Sequence, residues 1–396
     1  MAVGSVNGKM SGGGRRIDRL VALDPRPEVL SFGPDALRAN LGRWLDERRE
    51  PGFRLEQIVH GLYRQHAVGW SAMSALPKEL RSELERAFRL PSVTFDEERE
   101  SADGTRKLLW RLIDGEAVES VLIPTPSRDT LCISSQAGCA LRCAFCATGM
   151  FGFRRDLTAG EIVDQVRQLV GRRGQAGYGV NVVFMGMGEP LLNWENLATA
   201  LDTLIDARGL DIGARRITVS TVGVPDRIVA LGERFPQVRL AVSLHAAVDG
   251  VRNEIVPLNR RYPLRQLLAA CRLWAESTGK RLSFEVLHLP GVNDRPEDVA
   301  ALARVLHEVP AKVNLMRYNP VPGAPYRRPA VAETVAFRDA ILQRAGHSPG
   351  HPPSGPPGRS RSGATVTVRR SRGMDIEAAC GQLRLARAGN KGEPEE

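Results

Sequence analysis

Between residues 157 and 320 the apolar positions change period repeatedly. "LTAGEIVDQVRQLVGRR" (157–173) carries apolar residues three and four apart, the spacing of one helical face. "VNVVFMGMG" (180–188) is a short apolar run closed by glycines and reads as a strand. The alternation continues, with helical spacing over 195–207, 224–234, 264–278 and 296–309. Strand-like runs lie between them at 215–223, 238–246, 281–291 and 311–320. Apolar strands separated by amphipathic helices predict an α/β fold, a parallel sheet with helices on its outside. About six such units predict a TIM-like (β/α)6 partial barrel, whose functional groups gather at the carboxyl ends of the strands. "GMGEP", "STVG", "SLH" and "YNP" each fall at or just after such an end.

The flanks read differently. Residues 1–28 are Gly-rich and polar and are expected to be a disordered tail. Residues 29–95 read as a small helical accessory domain, broken at Pro51-Gly52 and Pro77, with Arg and Lys on its polar faces. A packing unit and a nucleic-acid grip are both open readings of it. Residues 96–345 form the barrel core with a β extension, in which short strand-like runs turn at Asp114-Gly115 and at 124–127. Residues 346–363 are a Pro/Gly/Ser-rich loop insert, and 364–386 a strand-like run followed by a short helix. Residues 387–396 read as a frayed tail.

Composition narrows the function classes. The chain is 42% hydrophobic and 25% charged, an ordinary globular balance. No apolar run approaches the roughly 18 residues of a membrane span, and the N-terminus lacks a signal-peptide core, so a cytoplasmic location is expected. A reducing compartment argues against a disulfide framework for the six cysteines and favours metal or redox chemistry. The net charge of +10 raises the prior for a polyanionic partner, and a merely solvated basic surface remains the plain alternative.

Four of those cysteines crowd into "TLCISSQAGCALRCAFCATG" (130–149), at Cys132, Cys139, Cys143 and Cys146. The last three have the spacing C-x3-C-x2-C. Three thiolates on a 4Fe–4S cubane leave one iron open for an external ligand, whereas an electron carrier closes all four with cysteine. A structural zinc site with Cys132 as fourth ligand is the competing reading. Zinc sites usually pair two distant C-x2-C knuckles, and no second knuckle is present, so the spacing favours the cluster. Cys271, among apolar helical neighbours, reads as core.

With a β/α barrel behind it, this cysteine spacing resembles the radical SAM superfamily. The match is closer still. "TLCISSQAGCALRCAFCATG", "MGMGEPLLN", "SLHA", "YNPVPGAPY" and "RGMDIEAACGQL" occur in order, and from about residue 30 to 386 the chain resembles the RlmN branch of the RlmN/Cfr family of RNA adenosine methyltransferases. The resemblance implies one 4Fe–4S cluster on Cys139, Cys143 and Cys146, and two S-adenosylmethionine molecules per turnover. It implies cofactor contacts at Gly188, Glu189, Ser220, the segment Ser243-Leu244-His245, and Asn319. It makes Cys380 the methyl carrier, Cys132 the cysteine that resolves the adduct through a transient disulfide, and Glu119 the acceptor of the adenine proton. The implied product is 2-methyladenosine in 23S rRNA and tRNA, with an electron donor such as flavodoxin and no membrane partner. Two alternatives stay open. One is C8 methylation as in the Cfr branch, against which "FRRDLTAGEI" and the helical domain lean. The other is a non-catalytic RNA-binding protein with a structural metal.

Overall fold

The computed structural model describes residues 24–173, 179–346 and 364–383. The loop insert expected at 346–363 and the tail at 387–396 lie outside these residues, apart from Gly346. So does the tail at 1–28, apart from its last residues. Helices Pro34–Asp46, Phe53–Tyr63 and Lys78–Ala87 come first. Leu37, Leu41 and Leu45 recur one turn apart and are buried, so one stripe of the first helix faces inward. Trp70 is buried and donates its indole N–H to the Phe88 carbonyl at 2.9 Å.

Strands β1 (Thr94–Glu100), β2 (Arg106–Arg111), β3 (Ala117–Ile123) and β4 (Asp129–Cys132) then form an antiparallel meander. A separate two-stranded hairpin, β5 (Gln136–Gly138) with β6 (Phe153–Asp156), carries the cysteine loop between its strands. The remaining strands are β7 (Val180–Phe184), β8 (Ile217–Thr221), β9 (Arg239–Ser243), β10 (Leu282–His288), β11 (Ala311–Arg317) and β12 (Val366–Arg369). They extend the sheet in the order β1-β2-β3-β4-β7-β8-β9-β10-β11-β12, parallel from β4 onward. Helices Ala159–Gly171, Trp194–Ile205, Pro225–Arg234, Leu264–Thr278, Pro296–Glu308 and Val331–Arg344 make the crossovers. Six β/α units therefore run from β4 to the helix before β12, the partial barrel expected from the alternating periods. No helix among the described residues is long and apolar enough to cross a membrane.

The first crossover helix shows why the elements sit where they do. Thr158 and Glu161 cap it reciprocally, each side chain taking the other's main-chain N–H. Asp164 and Arg167 on that helix are both fully buried and paired at 2.6 Å. Asp164 also accepts from the Ser92 and Val93 amides at 2.7 and 3.1 Å, and Arg167 donates to the Ala67 carbonyl. This buried pair welds the helical region to the barrel.

Two elements go beyond the expected ones, and one expectation differs. β1, "TFDEERE", has no apolar face, and it is a strand because β2 templates it and Phe95 packs edge-on against Trp110. Helix Val331–Arg344 follows the last expected strand and buries only Thr334, Phe337 and Ile341. Among the described residues no helix follows β12, where a short one was expected. Gly373, Glu377 and Gly381 take φ of +61°, +54° and +84°, left-handed breaks that no helix tolerates. The segment is instead a strap. Gly373 N–H donates to Asp103, Ser101 and Ala102 donate to Asp375, and Lys107 donates to the Glu377 carbonyl. Its far end receives Ala147 N–H on the Gly381 carbonyl and the Thr148 hydroxyl on the Leu383 carbonyl, both at 2.8 Å.

Candidate active site

The cysteine loop is shaped by glycine. Gly138 has φ +78°, and a Cβ there would lie 1.9 Å from the Gly152 carbonyl oxygen, so only glycine lets the hairpin close. Cys139 N–H then reaches that same carbonyl at 2.9 Å. Cys146 precedes helix Ala147–Phe151, and Ala144 N–H donates to the Ile255 carbonyl. Phe145 sets its ring edge-on to His245, with centroids 4.5 Å apart, within an apolar cluster that includes Leu141, Ile255, Leu289 and Tyr318. Phe145 thus seats the loop over the end of β9.

The end of β7 is equally constrained. Gly188 has φ +100°, and a Cβ there would be 2.5 Å from the Gln136 side chain. The close approach lets Gln136 accept from Glu189 N–H at 2.8 Å while it donates to Asp156. Glu189 is buried, and its carboxylate accepts from the amides of Leu191 (3.0 Å) and Val222 (2.8 Å), which ties β7 to β8. Burial pushes its pKa up to about 7 against those hydrogen bonds. His245 is buried with φ +56°. Its Nδ1 accepts from Leu287 N–H at 3.1 Å, which puts the ring proton on Nε2. Burial, and then Arg252, hold it down to about 3, so His245 is a neutral ring.

Cys139, Cys143, Cys146, Gly188, Glu189, Ser220, Ser243, His245 and Cys380 all line one cavity at the carboxyl ends of the parallel strands. The other four expected residues do not line it. Leu244 is fully buried behind it, with its amide shared between the Val242 and Glu285 carbonyls. Asn319 lies on the strap side, donating to the Cys380 carbonyl at 3.3 Å and accepting from Arg328. Cys132 is buried beneath, its thiol pushed up to about 12 by burial and then by the nearby Cys380 sulfur. Glu119 is buried in a separate groove, 3.3 Å from the Lys107 ammonium that also bonds the strap at Glu377.

The sequence offered no signal for Arg252, a buried guanidinium that bonds the carbonyls of Val222, Ser243 and Leu244. Nor does it single out Gln136 or Arg369. Arg369, on β12, lines a second opening beside Cys380, and the proximity of the Cys380 sulfur is the largest influence raising its pKa.

The donor set suits an iron–sulfur cluster. Burial pushes the thiols up, Cys139 to about 12 and Cys143 well above its ordinary value, and neighbouring sulfurs add to the effect. Crowded buried thiols resist ionising alone, and a cationic metal core reverses that preference. Among the described residues no three His, Cys, Asp or Glu side chains converge on one ion-sized point. The three thiols ring a cavity instead, as one ligand per iron of a wider polynuclear group requires.

Comparison with known proteins agrees with this geometry. The family model described as "Radical SAM superfamily" matches residues 133–303. The "Dual-specificity RNA methyltransferase RlmN" of an Anaeromyxobacter species is 42% identical over 377 residues, covering 94% of this chain and 93% of that protein. Its namesake in Halorhodospira halophila is 43% identical over 364 residues, covering 90% and 95%. The crystal structure of a radical SAM methyltransferase from Sphaerobacter thermophilus superimposes with a TM-score of 0.80 at 42% identity, covering 90% of this chain and 99% of that one.

Proposed function

This chain belongs to the RlmN family of dual-specificity RNA methyltransferases, within the radical SAM superfamily, and from that premise we propose that it methylates adenine C2 in 23S rRNA and tRNA with Cys380 as the methyl carrier. The observation that carries the reading is the single cavity shared by the Cys139, Cys143 and Cys146 thiols, Glu189 and the exposed Cys380. When bound there, a 4Fe–4S cluster and S-adenosylmethionine supply a one-electron reduction and a carbon-centred radical.

The protein's residues do the rest. Adenine C2 is electron-poor and a poor nucleophile, so the methyl carbon must arrive on a group that can add to it. The Cys380 thiolate takes a methyl group from one S-adenosylmethionine by displacement and presents it as S-methylcysteine. A second S-adenosylmethionine, held beside the Cys139, Cys143 and Cys146 thiols, would supply the radical that activates that methyl group. Glu119 removes the C2 proton from the covalent adduct. Its link to the strap through Lys107 supports the assignment. Cys132 then attacks the Cys380 sulfur as a thiolate: the S–S bond forms as the bond from that sulfur to the methylene carbon breaks, and the carbon takes a proton and leaves as the methyl group of the RNA. Gly188, Glu189, Ser220, Ser243, the Leu244 main chain, His245 and Asn319 orient S-adenosylmethionine. A flavodoxin-type donor supplies the electron, and the target base leaves its stack to reach Cys380.

The test is mass spectrometry of ribosomal RNA and tRNA digested after incubation with the anaerobically reconstituted protein. The expected product is 2-methyladenosine. Finding only 8-methyladenosine overturns the C2 assignment, and unmethylated RNA overturns the activity. Cys380→Ala abolishes methyl transfer and leaves iron and sulfide content unchanged. Loss of the cluster in that variant contradicts the role given to Cys380.

A further inference from the structure

Cys380 is exposed, and the strap that carries it meets the loop after β11. Two bonds join loop and strap there. Asn319 Nδ2 donates to the Cys380 carbonyl at 3.3 Å, and Gln382 Nε2 donates to the Pro320 carbonyl at 3.1 Å. Asn319 is 5% exposed, and its Oδ1 accepts from the Arg328 guanidinium at 2.6 Å. That bond decides which way the amide points. A guanidinium has donors only, so the amide oxygen must face Arg328 and the nitrogen is left to face the Cys380 carbonyl. Arg328 is itself set by the loop. Arg317 Nε donates to the Pro329 carbonyl at 3.0 Å, Val321 N–H donates to the Tyr318 hydroxyl at 3.0 Å, and Tyr326 sets its ring edge-on to Tyr318. Arg328 is half-buried, and burial and then Arg317 lower its pKa, so its charge is kept here against a cost.

We propose that Arg328 is a positioning residue for methyl transfer: it locks the Asn319 amide, and the amide holds the Cys380 main chain so that the S-methyl group meets the cavity. The proposal rests on Cys380 being the methyl carrier and adds a residue that lies just past "YNPVPGAPY". The other anchors of the strap act at a remove. Ala147 and Thr148 take the Gly381 and Leu383 carbonyls, farther along the chain, whereas the Asn319 bond acts on the Cys380 peptide itself. That placement matters because a shift of about 1 Å in a reacting group can cost about a hundredfold in rate. An amide has two N–H donors and two lone pairs on its oxygen, so this use leaves Asn319 able to contact the cofactor as well.

The experiment counts 5′-deoxyadenosine and 2-methyladenosine in the same RNA reactions, with anaerobically reconstituted protein and saturating S-adenosylmethionine. In Arg328→Met the ratio of the first to the second should rise about threefold to a hundredfold above wild type, because the cofactor is still cleaved while the methyl group is out of place. A loss of stability alone lowers both products together and leaves the ratio unmoved. Asn319→Asp keeps the Arg328 bond and loses the donor to Cys380, so its ratio should rise likewise, and it decides the matter if Arg328→Met does not fold. Deuterium exchange reads the clamp without turnover. The Ala378 and Gln382 amides, bonded within the strap to the Gly373 and Ala379 carbonyls, should exchange about fivefold faster in Arg328→Met. A wild-type product ratio in either variant overturns the proposal, and so does unchanged strap exchange. Wild type that methylates no RNA, while strap exchange still responds to Arg328→Met, overturns the methyltransferase reading and leaves the clamp.

Discussion

Replacing Arg252 by methionine tests whether the cavity walls are held from behind. The guanidinium is 1% exposed, on a short helix after β9. It donates to the carbonyls of Leu244 (3.0 Å), Val222 (2.6 Å) and Ser243 (3.3 Å) and to the Asn259 side chain (2.7 Å). Two opposing terms set the magnitude. Burial holds its pKa down to about 10, which amounts to about 3 kcal/mol against the charged form. The three bonds at or below 3.0 Å each return about 1.5–3 kcal/mol as hydrogen bonds to a charged group. The bonds win, and because methionine keeps the apolar stem, Arg252→Met should cost about 2–5 kcal/mol net. For a chain of this size that lowers the melting temperature by roughly 3–7 °C. Val222 and Ser243 line the cavity, so S-adenosylmethionine affinity should fall with it. Arg252→Lys keeps the charge but loses the fork, and should recover less than half of the stability. A melting temperature within about 1 °C of wild type, with unchanged cofactor affinity, would refute the reasoning.

Two further expectations follow from strain and from titration. Gly188→Ala must place a Cβ 2.5 Å from the Gln136 side chain at φ +100°, and should cost about 2 kcal/mol or more and abolish cofactor binding. Gly250→Ala, in a helix with nothing within 4 Å, should be neutral or stabilising when both variants are unfolded in urea, and equal losses at the two sites would sink the argument. In cluster-free protein, burial holds His66 down to about 4 and His245 to about 3, and holds Glu189 up to about 7. The unfolded histidines bind protons near pH 6.5, so their contribution is complete above that value and is lost as the pH falls. Glu189 works the other way. Folded, it keeps a proton that the unfolded chain releases near pH 4.5, so its contribution is lost as the pH rises from there towards 7. Glu189→Gln should therefore steepen the acid loss of stability between about pH 4.5 and 6.5, and an unchanged slope in urea midpoints against pH would contradict these environments.

Periodicity made most of the barrel legible because each crossover helix presents one apolar stripe to a sheet buried on that face. The expected helix at 264–278 coincides with Leu264–Thr278, and the strand ends fell where the polar motifs begin. β1 was illegible for a physical reason. Its side chains are charged, and its conformation is imposed by the β2 ladder and by Arg172 lying 4.0 Å above the Phe95 ring. The strap misled in the opposite direction. "DIEAACGQL" has helical propensity, but its carbonyls at Cys380, Gly381 and Leu383 are taken by Asn319, Ala147 and Thr148, so tertiary bonds replace the helical ones.

The site divides along the same line. The cluster cysteines were visible because their ligand spacing is local, whereas the surroundings of Arg252, on a helix after β9, and of Glu285, inside β10, are set by contacts between elements far apart in sequence. Glu285 left a trace, a charge inside an apolar strand, and only the structure shows the Asn314 amide from which it accepts. The same distinction explains how Cys380 keeps its place after a long Pro/Gly-rich connection. Its position is fixed upstream by β12 pairing with β11 from Val313–Val366 to Met316–Arg369 and by the β1–β2 turn, where Asp103 accepts from Gly373 N–H and Ser101 donates to Asp375. Downstream, Ala147 and Thr148, next to the last cluster cysteine, hold Gly381 and Leu383. Doubling the length of a connecting segment costs in general only about 0.6 kcal/mol, less than a typical buried hydrogen bond. The strap's anchors, and not the length of chain before it, decide whether the Cys380 sulfur reaches the cavity.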